Sequence, residues 1–91
     1  MSSPRIAQIR LRLEAAFTPD VLEIVDESHR HAGHAGARDG RGHFLVRIVS
    51  NRFEGVRPLA RHRMVYAALG PLMQTDIHAL SLEALSPAES R

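Results

Sequence analysis

Cysteine is absent from this chain of 91 residues, and that absence constrains what the chain can build more than any other single feature. A domain this short lies near the lower end of what folds without covalent or metal staples. With no disulfide available, one apolar core must carry the fold. The same absence removes thiol nucleophiles and thiolate metal ligands, so a bound metal is left to His, Asp, Glu or a partner's groups.

The apolar periodicity supplies one such core. Ile6, Ile9, Leu13, Ala16 and Phe17 recur at helical spacing, with Ser3 able to cap and Pro4 suited to the first helical position, which predicts a helix over 4–17. Thr18-Pro19-Asp20 stops it. Residues 21–27 alternate imperfectly and are rich in Val, Leu and Ile, as a strand is. Residues 43–50 do the same, with Phe44, Val46 and Ile48 on one face and Arg47 on the other. The intervening 28–42 holds His29, His31, His34 and four glycines, with Asp39-Gly40 as a turn; a loop of this length is usually functional or flexible. Pro58 opens a second helix whose stripe Ala60, Met64, Val65, Ala68 and Leu69 faces the sheet, and Gly70-Pro71 ends it. A short helix near 71–74 and a third strand over 77–85 complete the pattern. The whole chain, 1–91, reads as one α+β domain in the order α-β-β-α-α-β.

The twelve basic residues are all arginine and the formal net charge is +2, too small to demand nucleic acid. Arginine without lysine is common in proteins of GC-rich genomes, which points to a bacterial source. No apolar run reaches the roughly 20 residues of a membrane span, and no secretory signal is present. Glu14 on the polar face of the first helix argues against a mitochondrial presequence. These features together predict a cytoplasmic protein that does not enter membranes.

Six histidines in a chain without cysteine invite a metal reading, because imidazole suits iron, zinc and copper. His29 and His31 are two residues apart and His34 three beyond, on a glycine-rich loop that can fold around a ligand; solvent exposure is the bland alternative. His78 begins the third strand and shares parity with Leu80 and Leu82, so its bland reading is a half-buried histidine hydrogen-bonded at the core's edge. His43 precedes Phe44 and reads as structural or at the rim, and His62 as a packing residue between helix and sheet. Arg52, Arg57, Arg61 and Arg63 cluster around the turn after the second strand, where guanidinium could take phosphate bidentately. Gly33-His34-Ala35-Gly36 has the spacing of a phosphate-approaching turn but lies between strands rather than helices. Three Phe and one Tyr, most of them committed to the core, leave little for base stacking. No nucleophile elbow, P-loop, paired carboxylates or thiol is present, and adjacent Asp26 and Glu27 point to opposite faces of a strand; the reading is not an enzyme.

Four strings in order, Asp26-Glu27-Ser28 with His31, Ser50-Asn51-Arg52-Phe53-Glu54-Gly55, Arg61-His62-Arg63-Met64-Val65-Tyr66-Ala67-Ala68-Leu69 and His78-Ala79-Leu80-Ser81-Leu82, together resemble the signature of the BolA family over about 21–89. The resemblance implies a class II K-homology-like fold, a three-stranded sheet packed against helices. It also implies a partner, a monothiol glutaredoxin, and a two-iron, two-sulfur cluster shared with it, glutathione being supplied through the glutaredoxin. The family's cluster-binding histidine matches His78, and the second ligand of some members matches His31. His34 and His29 stand in reserve because the loop is longer than the family's. A cysteine-free chain supplies only imidazoles to such a cluster, so no cofactor is expected on the chain alone, as monomer or weak homodimer. Bacterial members are also associated with transcriptional regulation, which makes DNA the alternative partner, through Arg52, Arg57, Arg61 and Arg63.

Overall fold

A computed structural model describes residues 4–28 and 42–90. The elements run α1 (Pro4–Phe17), β1 (Val21–Asp26), β2 (Gly42–Val49), a 3-10 turn (Asn51–Phe53), α2 (Pro58–Leu69), α3 (Leu72–Thr75) and β3 (Ile77–Leu85). Both long helices and the third strand follow the predicted bounds. Ser3, the expected cap of α1, lies outside the described residues, as do Gly33-His34-Ala35-Gly36 and the Asp39-Gly40 turn.

The sheet is mixed, in the order β1-β2-β3, with β1 antiparallel to β2 and β2 parallel to β3. Parallel neighbours need a long crossover, which the 3-10 turn, α2 and α3 provide. Alternation along β2 sends Phe44, Val46 and Ile48 into the core, where they meet Ile9, Leu13 and Phe17 of α1 and Val65 and Leu69 of α2. The three apolar periodicities thus converge on one core.

Local chemistry sets the corners. Thr18 takes a left-handed φ of 44° and its N–H bonds back to Glu14 O, closing α1, and Pro19 prevents continuation. Ser50 is fully buried at the end of β2; its hydroxyl donates to Phe17 O at 2.7 Å and accepts from Arg52 N at 3.1 Å. One side chain therefore ties α1 to the 3-10 turn and caps that turn. Phe53 then packs against Phe17, ring centroids 5.0 Å apart.

The stripe on α2 differs from expectation at its N-terminal end, at two residues. Ala60 is exposed, and Arg61 takes the buried place in front of Val65 and Leu69. Its aliphatic stem covers apolar surface while the guanidinium reaches acceptors beyond it. Nε donates to Val56 O at 2.7 Å, Nη1 to Ala84 O at 3.0 Å, and both terminal nitrogens to the Glu89 carboxylate.

Candidate functional site

The parallel register contains one irregularity, and it falls at a histidine. Gly42 stands opposite Ile77 and His43 opposite Ala79, so His78 is the extra residue of a β-bulge, a device that re-aims a side chain. Ile77 remains buried and Leu80 still packs on the core. The inserted residue interrupts the parity count from Leu80 and Leu82, and His78 is exposed rather than half-buried at the core. The bulge thus sets aside the bland reading of a core-edge histidine.

His78 lies beside His43, with ring centroids 5.1 Å apart and planes tilted by 51°. His43 is half-buried and its Nε2 is shielded from solvent. The backbone around it is pinned from β1: His43 N donates to Ser28 Oγ at 3.0 Å, and Glu27 N to His43 O at 2.8 Å. Ser28 N in turn donates to Asp26 Oδ1 at 2.9 Å. The string Asp26-Glu27-Ser28 therefore serves as the anchor of the histidine end of the sheet. Gly42 belongs to the same knot: a Cβ there would stand 2.6 Å from Ser28 Oγ and 2.8 Å from the Phe44 ring.

His31, with His29 and His34, lies outside the described residues. Ser28 and Gly42, which flank that segment, both sit at the sheet end that carries His43 and His78. Among the described residues no group of three or more His, Asp or Glu side chains is placed to hold a metal ion. His43 and His78 are two described imidazoles that lie side by side.

The predicted arginine cluster divides. Arg52, Arg57 and Arg63 are exposed and form no ion pair among the described residues. Arg61, 7% exposed, is committed inward as above and presents no free guanidinium to a phosphate. This corrects its place in an outward patch. The physical reason is its helical phase, which sets it in line with Val65 and Leu69. The open face of the sheet carries Arg47 between Glu23 and Glu83, at 3.8 and 2.9 Å, beside exposed Val25 and Leu45. A groove of 470 Å³ over this part of β1 and β2 has no histidine in its lining.

Sequence reasoning passed over His43 as a partner of His78 and Glu89 as a partner of Arg61. Neither pairing has a local signature. His43 precedes Phe44 much as any strand residue would, and only the register of β2 on β3 sets it next to His78.

A family model described as "BolA: BolA-like protein" matches residues 13–89. The chain belongs to the BolA-like family. BolA-like protein 1 of Homo sapiens is 47% identical over 88 residues, covering 97% of this chain and 62% of that protein. The DNA-binding transcriptional regulator BolA of Escherichia coli (strain K12) is 46% identical over 82 residues, covering 90% of this chain and 75% of that protein. Among solved structures, BolA1 from Arabidopsis thaliana superposes with a TM-score of 0.85 at 39% identity, each chain covered completely. The chain spans less than two thirds of the length of its mammalian relatives. BolA relatives in mammals and a plant as well as a bacterium do not single out a bacterial source. No helix among the described residues is long and apolar enough to cross a membrane.

Proposed function

We propose that this chain is a BolA-type adaptor, cytoplasmic and without enzymatic activity, that binds a monothiol glutaredoxin and shares a two-iron, two-sulfur cluster with it in cluster trafficking or iron sensing. The observation that carries this is His78, lifted onto an exposed bulge where an imidazole can meet a partner's surface. The donor set fits half of such a group: the chain supplies imidazoles and no thiolate, so His78, with His31 as second ligand, faces thiolates of the partner and its glutathione. His34 and His29 remain the reserve ligands. Bound between imidazoles and thiolates, the cluster supplies one-electron chemistry at a raised potential. The chain's own part is to hold His78 through the bulge and its anchors at Gly42, Ser28 and Asp76, whose carbonyl accepts from Gly42 N at 2.9 Å.

The test is a titration of the purified chain with a monothiol glutaredoxin under anaerobic reconstitution. Colour appears only with the partner, and His78→Ala or His31→Ala alters the visible spectrum of the mixed complex as thiolate ligation takes over. A stable coloured cluster on the chain alone, or a folded His78→Ala protein with an unchanged complex spectrum, removes this reading.

A second reading, DNA binding, is supported by the name of the Escherichia coli relative and by three exposed arginines, Arg52, Arg57 and Arg63, around the start of α2. Few phosphate contacts give weak, salt-sensitive binding. Tight, sequence-selective binding at near-physiological salt, lost in Arg57→Ala and Arg63→Ala by fluorescence anisotropy, would put the regulator ahead of the adaptor.

A further inference from the structure

We propose that His43 and His78 together form a two-imidazole site for a divalent ion of the zinc class on the chain by itself. Two imidazoles on one tetrahedral ion, with metal–nitrogen distances of about 2.0–2.1 Å, place their ring centres roughly 5 Å apart. The observed separation is 5.1 Å, with a tilt of 51° that leaves the rings unstacked. The centroid separation therefore matches that of two imidazoles sharing one ion.

The two rings are also held in different ways that suit a ligand pair. His43 is set by its anchored backbone, N to Ser28 Oγ and O to Glu27 N, and its half-buried ring has a solvent-shielded Nε2. His78 is exposed on the bulge. A fixed donor beside an accessible one lets an ion enter from water and find the second imidazole in place. Imidazole donors favour zinc, copper and nickel over magnesium or calcium. With no third carboxylate or imidazole converging among the described residues, water fills the remaining positions. The site needs no glutaredoxin, so it stands or falls separately from the shared cluster, although both draw on His78.

The experiment uses the full chain, freed of metal, titrated with zinc ion while the histidine ring nitrogens are followed by two-dimensional proton–nitrogen spectra. One equivalent of zinc should shift the ring nitrogens of His43 and His78 and leave those of His62 in place. By calorimetry, His43→Phe, which keeps the ring volume, and His78→Ala should each weaken zinc binding by about tenfold or more, while His31→Ala stays close to the parent. Zinc-induced shifts at His78 together with His29, His31 or His34 but not at His43 would overturn the proposal, as would the lack of saturable binding. Should His43→Phe fail to fold, the ring-nitrogen titration of the parent chain decides the matter alone.

Discussion

Glu89 shows how one side chain gains a partner that its neighbours in sequence do not reveal. Hydrogen bonds from the Arg61 guanidinium and from Ser86 N–H, the latter at 2.8 Å, lower its pKa from 4.5 to about 2. Because the folded-state pKa is depressed, its contribution to stability is present above about pH 4.5 and is lost as the pH falls through about 2. Glu89→Gln should therefore flatten the acid limb of the stability–pH curve in that window, measured by urea melts at stepped pH. Arg61→Ala removes the donors to Val56 O and Ala84 O as well. A loss of about 2–3 kcal/mol is expected by chemical denaturation, because buried acceptors lose a charged donor. The resulting loss of fold would mimic a loss of nucleic-acid binding, so Arg57 and Arg63 are the informative positions. His78→Ala, at an exposed bulge, should change stability by no more than about 0.5 kcal/mol; a large drop in its thermal midpoint would restore the core-edge reading.

The elements themselves were largely legible. Period 3.6 in 4–17 and period 2 in 43–50 are local signals, and Gly70-Pro71 marks the end of α2 because Gly70 takes φ 55° and ψ −128°, a conformation closed to side-chain-bearing residues. Gly70→Ala should cost about 1–3 kcal/mol in a urea melt. Gly42→Ala tests a different mechanism, since its Cβ would press on Ser28 Oγ and on the buried Phe44 ring. Destabilisation should follow there too, and relief by Phe44→Leu in the same background would identify the ring as the obstacle. The α2 stripe was misread at Ala60 and Arg61 because hydropathy ranks arginine as polar throughout. A long stem with a charge at its tip can line a core when acceptors wait beyond it, and those acceptors come from the 3-10 turn region, β3 and the C-terminal turn.

At the scale of the molecule a single core joins every element, with Phe53 fully buried against Phe17. Phe53→Ala should cost about 3–5 kcal/mol, a large fraction of the total for a chain of this size. Far-ultraviolet circular dichroism and the fluorescence of Tyr66, the sole tyrosine, should report one coincident transition in the parent chain. Two separated transitions would contradict a common core. The sequence by itself determined the order of elements, the core-facing residues of α1 and β2, and the family, since these rest on local periodicity, punctuation and strings read in order. Tertiary structure alone decided that His78 leaves the core side of β3, that His43 is its neighbour, and that Arg61 turns inward to Glu89. Each of these depends on register or packing between segments tens of residues apart in the chain. A bulge shifts parity by one residue without any change in composition, so no count along β3 could have shown it.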